Sequence, residues 1–172
     1  MPKPDQTFPK LLAKLNKLEF DYADGEGMDF EPYSEFMSAE ETTDWFRAWT
    51  GNDEADASAF RVFGQDGTGG YAAFWITQPK KDLLEQPVVF LGSEGEKGVV
   101  ASDFDDYLWL LAAGFGPWEA IVDPDSDRAP NEQFLAFARE NSSSKQEKAK
   151  AILKQARTKY PDFADQIQAL CR

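Results

Sequence analysis

Three stretches decide the fold: FRVFGQDGTGGYAAFWIT (residues 60–77), PVVFLGSEGEKGVVA (87–101) and SDFDDYLWLLAAGFGPWEAI (102–121). They read as two short hairpins followed by one buried helix. Residues 59–63 and 71–77 are rich in aromatic and β-branched side chains, which suit a pleated, half-buried surface. Residues 64–70 between them form a glycine-rich turn, where several positive φ values are expected. Residues 79–82 make a second break. Residues 87–92 and 98–101 pair around the turn 93–97, and the unbroken run Val88, Val89, Phe90, Leu91 predicts a central strand covered on both faces. Ser102 is expected to cap an apolar helix over 103–113. The three aspartates at its start suit the partial positive charge of a helix N-terminus. Gly114 and Gly116 end it, and Gly116-Pro117-Trp118 predicts a sharp turn.

Upstream, Phe8, Leu11, Leu12, Leu15 and Leu18 stand at helical spacing, and the acidic stretch 21–27 reads as a loop. Ser38 and Glu41 form a capping-box pattern in which the Glu41 carboxylate would reach back to the Ser38 amide. The helix that follows places Trp45, Phe46 and Trp49 on one side, and Gly51 stops it. Residues 52–58 are an acidic connector. Downstream of the Asp-rich loop 123–128 the chain reads as wholly helical. One stripe is Phe134, Phe137 and Ala138; another is Ala149, Ile152, Leu153, Ala156 and Tyr160, with lysines opposite. Pro161 breaks that helix or opens the next, where Phe163, Ile167 and Leu170 can pack. Together these elements predict an α+β domain: a twisted, mainly antiparallel sheet flanked by helices over residues 1–130. A helical C-terminal extension, 131–172, is expected to pack on the same domain.

At 172 residues the chain is long enough to bury a sizeable core, and its aromatic content is high (Phe 14, Trp 5, Tyr 5), so that core is bulky. The one cysteine, Cys171, excludes a disulfide within the chain, which suits a reducing compartment. The opening twenty residues hold no continuous apolar segment with a cleavage pattern. The uncharged stretch 107–118 falls short of the ~20 apolar residues a membrane helix needs. A cytoplasmic, soluble protein is expected.

Lys and Arg total 18 against 31 Asp and Glu, a net charge of −13, and there is no histidine. Such a surface repels phosphate backbones, so nucleic acid and anionic membrane are not expected partners. It favours a cationic protein, although acidity that serves only solubility explains the same composition. The charge is uneven. Residues 1–60 carry 5 basic and 14 acidic side chains, 61–130 carry 5 and 12, and 131–172 carry 8 and 5. A basic tail beside an acidic body suggests that the two dock on each other.

Catalytic and metal-binding patterns are mostly missing. Without histidine there is no Ser-His-Asp or Cys-His arrangement, and one terminal cysteine makes no zinc site within the chain. Gly64 and Gly69 have phosphate-loop spacing, but Gly70 stands in place of the essential lysine. Ala72 replaces the third glycine of a dinucleotide loop. Asp123, Asp125 and Asp127 imitate the start of a calcium loop, yet Arg128 and Phe134 occupy the glycine and glutamate positions. Trp75 and Trp109 read as core. Trp118, after Gly-Pro, is a candidate for a rim or interface. Neither cofactor nor metal is expected.

Residues 60–121 resemble the SUKH superfamily, which includes the fungal cell-wall regulators of the Smi/Knr type. The likeness rests on Phe63-Gly-Gln-Asp-Gly67, Tyr71-Ala-Ala-Phe-Trp75 and Pro87-Val-Val-Phe-Leu-Gly-Ser-Glu-Gly95, completed by the block from Val99 to Leu111. It covers roughly a third of the chain and implies an α+β fold. It also implies protein binding without catalysis: many bacterial members are thought to be immunity proteins that block toxins, often nucleases. The expected partner is then a basic protein, the cognate toxin. The candidate contacts are Glu94 and Glu96 in the second turn, Asp103, Asp105 and Asp106 at the helix start, Asp66 in the first turn, and Trp118. The plainer reading of these acids is a solvated turn and compensation of the helix dipole. The second functional reading is an intracellular scaffold or regulatory module of the Smi/Knr type, binding through apolar contacts such as the tail stripe. Oligomeric state is left open.

Overall fold

A computed structural model of the chain describes residues 7–172; residues 1–6, the start of the stretch read as carrying no leader, lie outside the described residues. The helices are α1 (Lys10–Leu15), α2 (Ala39–Thr50), α3 (Phe104–Ala112), α4 (Pro117–Val122), α5 (Glu132–Asn141), α6 (Ala149–Lys159) and α7 (Phe163–Leu170). The strands are β1 (Glu31–Pro32), β2 (Phe60–Gln65), β3 (Tyr71–Trp75), β4 (Val88–Leu91) and β5 (Lys97–Ala101). All neighbouring strands are antiparallel and follow one another in sequence order, β1 to β5. The fold is therefore the expected α+β type, with an open sheet flanked by helices.

Alternation along the strands sends side chains to two separate cores. Phe63, Ala72, Phe74, Val88, Phe90 and Val100 meet α1, α3, α4 and α5 on one face. Val62, Ala73, Val89, Leu91 and Val99 meet α2 and α7 on the other. All four residues of β4 are buried, which explains why its sequence is apolar without alternation. Helix α6 lies against the edge strand β5 and feeds both cores, with Ile152 and Leu153 in the first and Ala156 in the second. It thereby covers an edge that would otherwise offer unpaired backbone.

Several local expectations hold. Leu12 and Leu15 are fully buried, and Gly51 caps α2 in the left-handed region (φ 64°). Phe163 and Ile167 are buried, with Leu170 partly so. Others change. The Ser38 hydroxyl accepts from the Glu41 amide (3.1 Å), but the Glu41 carboxylate receives that hydroxyl rather than the Ser38 amide. Asp103, not Ser102, caps α3, accepting from the Asp106 amide at 2.9 Å. Gly116-Pro117 does not merely turn the chain: proline at the first helical position opens α4, where its missing N–H costs nothing. In the turn 64–70 only Gly69 has positive φ (97°). Gly64 and Gly70 are required for space instead. A Cβ on Gly64 would stand 2.1 Å from the Phe30 ring, and one on Gly70 would stand 2.8 Å from Phe90.

The extension is joined to the body by apolar packing. Phe134, Ala138, Ile152 and Leu153 belong to the first core, and Ala156, Phe163 and Ile167 to the second. An exposed ion pair, Lys150–Asp125 at 3.7 Å, adds an electrostatic contact between the extension and the 123–128 loop. No helix among the described residues is long and apolar enough to cross a membrane.

Candidate partner-binding surfaces

The candidate acids divide between the two ends of the sheet. The β2–β3 and β4–β5 turns lie side by side, joined by a hydrogen bond from the Ser93 hydroxyl to the Thr68 hydroxyl (3.0 Å). Glu94 is exposed there, whereas Glu96 is half-buried and accepts from the Glu94 amide at 2.9 Å. Asp66 is 2% exposed. Its Oδ1 accepts from the Thr68 amide (2.7 Å), the Thr68 hydroxyl (2.7 Å) and the Gly70 amide (3.0 Å). It is the internal organiser of its turn, and burial removes it from any partner, which corrects its reading as a contact.

Asp103, Asp105 and Asp106 follow β5 at the opposite end, roughly 15 Å away along a five-residue strand. The two groups cannot form one compact patch. The three aspartates are also half-buried, and the loop between α5 and α6 lies against Asp105 and Asp106. The Ser143 hydroxyl donates to Asp105 Oδ2 (2.5 Å), and Trp109 Nε1 donates to the Ser144 carbonyl (3.0 Å). Burial pushes the Asp103 carboxyl above its ordinary range, against the pull of the Asp106 amide. Burial does the same to Asp106, helped by the charge of Asp103. A carboxylate pair working as acid and base needs shifts in opposite directions; these run the same way from the same cause. Trp118 is half-buried on α4 against the first core, and Trp109 is buried as expected. Trp75, read as core, is only half-buried.

A more coherent surface escaped the sequence reading. Residues 21–26 are exposed, with Ala23, Asp24 and Gly25 all at positive φ (48°, 52° and 92°). Arg128 reaches across from the 123–128 loop and donates to the carbonyls of Gly27 (2.5 Å) and Glu26 (3.3 Å). Its guanidinium also lies 5.6 Å from the Phe115 ring centroid. Two acidic loops a hundred residues apart are thereby held together. They present Asp21, Asp24, Glu26, Asp123 and Asp127, and among the described residues none of these carboxylates is in an ion pair. Tyr22 (58% exposed) and Val122 (37%) are the exposed large apolar side chains among the described residues; the first lies in the 21–27 loop and the second ends α4, just before the 123–128 loop. Acids marked each loop locally, with glycines only in the first, but nothing in the sequence links them.

Behind this surface lies Glu119, 2% exposed. Its Oε2 accepts from the Asp29 amide (2.9 Å), and Asp29 in turn accepts from the Gly67 amide (2.8 Å). Glu119 Oε1 and the buried Tyr107 hydroxyl have no hydrogen-bond partner among the described residues. Burial pushes the Glu119 carboxyl up. A carboxyl whose folded-state pKa is raised favours the native state while protonated, and that contribution is lost as pH rises through its folded pKa. Glu119→Gln should therefore stabilise the protein at neutral pH by about 1–2 kcal/mol, with the gain fading in acid. Thermal melts of both proteins across pH 4–8 test this, and an equal or lower melting temperature for the variant at neutral pH would rule it out.

Comparison of the chain with protein-family models, with curated proteins and with solved structures finds no match.

Proposed function

We infer that this chain is a cytoplasmic, non-catalytic protein-binding module of SUKH type, acting as an immunity protein. In this reading it neutralises a cationic toxin, with a nuclease as the favoured class, and binds neither nucleic acid nor membrane. The observation that carries the reading is the surface made by the 21–27 and 123–128 loops. The two loops present five exposed carboxylates, none in an ion pair among the described residues, with the exposed Tyr22 in the first loop and the exposed Val122 at the end of α4, next to the second. A charged rim around apolar anchors is how proteins combine fast, selective encounter with a short-range hold. A basic groove that normally receives phosphates would meet these carboxylates as substitutes.

Glu94 keeps its role as an exposed acid at the hairpin end. Asp103, Asp105 and Asp106 become peripheral, because the serine loop donates to the oxygens of Asp105 and the Asp103 carboxylate caps its own helix. The scaffold alternative drew on apolar contacts such as the tail stripe, and Ala149, Ile152, Leu153 and Ala156 of that stripe are buried within the two cores.

The test is capture from nuclease-treated lysate of the source cells on immobilised protein. Wild type is compared with a variant carrying Asp24→Lys, Glu26→Lys and Asp123→Lys. Wild type should retain one basic polypeptide, toxic when expressed alone, and release it at high salt. The variant should bind it at least tenfold more weakly, ~1.4 kcal/mol, with its melting temperature nearly unchanged. Equal retention by the variant would move the interface off these loops, and a neutral partner held at high salt would overturn the immunity reading.

A further inference from the structure

Away from the acidic loops, β3 runs out against the junction of α6 and α7 and leaves a cleft of about 470 Å³. Strand alternation places Trp75 on the α7 side of the sheet with Ala73. Pro161 breaks the helix just before α7, which brings both Tyr160 and Phe163 up to the indole. The Trp75 ring centroid lies 4.8 Å from that of Phe163 and 6.0 Å from that of Tyr160. Phe163 is buried beneath, while Trp75 and Tyr160 are half-buried and turn part of their rings to the opening. Neither the Trp75 indole N–H nor the Tyr160 hydroxyl has a hydrogen-bond partner among the described residues, unlike the indoles of Trp49 and Trp109, which donate to carbonyls.

The cleft also holds one charge of each sign. Lys159 and Asp162 both line it, and both are exposed. In an unbroken helix residues three apart share a face and pair. Here Pro161 separates them and they form no ion pair; the Lys159 ammonium instead lies 5.6 Å from the Tyr160 ring centroid. Lys159 also acts electrostatically on Asp103, yet it does not pair with Asp162, and two opposite charges left apart beside aromatic rings with unused donors describe the complement of a small dipolar molecule. A purely anionic ligand would face Asp162, and a purely cationic one would face Lys159. A zwitterion satisfies both. Its apolar part would stack on Trp75 and Tyr160, and the volume is within the usual range of small-molecule sites.

We propose that this cleft binds a free aromatic α-amino acid. The carboxylate would lie toward Lys159 and the Trp75 N–H, the ammonium toward Asp162, and the ring against Trp75 and Tyr160. This site is independent of the immunity reading, since it uses neither acidic loop. Binding would tie the end of β3 to the α6–α7 junction and raise the melting temperature by mass action.

The test follows the Trp75 indole N–H resonance of the full chain in two-dimensional NMR during titration, with melting temperature as a second readout. L-phenylalanine should give a saturable shift of that resonance and stabilise the protein. 3-Phenylpropionate, phenethylamine and N-acetyl-L-phenylalaninamide, which lack the amine, the carboxylate and both charges, should each bind at least about fivefold more weakly. Lys159→Met should weaken L-phenylalanine while strengthening phenethylamine, and Asp162→Asn should weaken it while strengthening 3-phenylpropionate. Both side chains are exposed, so neither variant threatens folding. No saturable shift with L-phenylalanine up to ~10 mM, an affinity too weak for a specific site, overturns the proposal. So does equal binding of any one of the three analogues, which would make the cleft a site for a simple anion, a simple cation or a peptide-borne ring.

Discussion

A chain ending at residue 130 should fail to fold cooperatively. The deletion removes Phe134, Ile152, Leu153, Phe163 and Ile167, all buried, and strips the cover from β5. At about 1.5–3 kcal/mol for each large side chain buried, the lost burial is of the order of 10 kcal/mol, as large as the whole stability of a typical domain. The recovered chain entropy offsets part of this, but the newly exposed faces of α3 and β5 add to the loss. Far-ultraviolet and near-ultraviolet circular dichroism with urea titration give the readout. A single sharp unfolding transition close to that of the full chain would show that the body is independent of the extension. A graded version is Ile152→Ala, expected to cost 2–5 kcal/mol because α6 is held on both sides of its contact with the sheet. Salt separates the two possible causes of docking. The Lys150–Asp125 pair is highly exposed on both sides and contributes little. Moderate salt should therefore leave the stability of the full chain nearly unchanged, whereas docking by opposite charge would weaken.

Asp66→Ala should destabilise the fold by about 2–4 kcal/mol, because charge-assisted hydrogen bonds are worth roughly 1.5–3 kcal/mol each and three are lost at a buried position. Two of the orphaned donors, the Thr68 and Gly70 amides, are backbone groups of a turn with no alternative acceptor in the strand ladder. The cost is partly offset because Asp66 Oδ2 is already buried without a partner among the described residues. For a chain of this length the loss corresponds to a fall in melting temperature of roughly 10 °C. Asp66→Asn should cost less, since its amide oxygen can keep the acceptor position. The effect should spread to the neighbouring turn through the Thr68–Ser93 contact, seen as faster hydrogen exchange of the Gly92 and Gly95 amides. A melting temperature for Asp66→Ala within ~2 °C of wild type would mean that the turn is set by its glycines alone.

Much of the fold was legible because its signals are local. The unbroken apolar run at Val88 marked a strand buried on both faces, and Gly51, Pro161 and the stripes of α5, α6 and α7 marked the helices and their ends. Some errors arose from competition between neighbours and others from distant packing. Ser102 and Asp103 both suit a helix cap, and backbone geometry chose the carboxylate. Glycines 64 and 70 were read for their conformational freedom, yet Phe30 and Phe90, distant in sequence, require them for space.

The candidate site was far less legible. Both Asp66 and Glu94 were candidate contacts in hairpin turns, Asp66 the lesser of the two, but the structure buries one and exposes the other. By itself, the sequence determined the α+β class, the positions of most elements, the excess of negative charge, and the missing histidine and cysteine chemistry. Each of these depends on composition or on periodicity within a dozen residues. Only the tertiary structure decided that the basic tail is part of the core and that the predicted acids split between two ends of the sheet. It also decided that Arg128 joins two acidic loops and that Trp75 meets Tyr160 and Phe163 around a cleft. Those outcomes depend on which distant side chains exclude water from each other, and no local pattern encodes that.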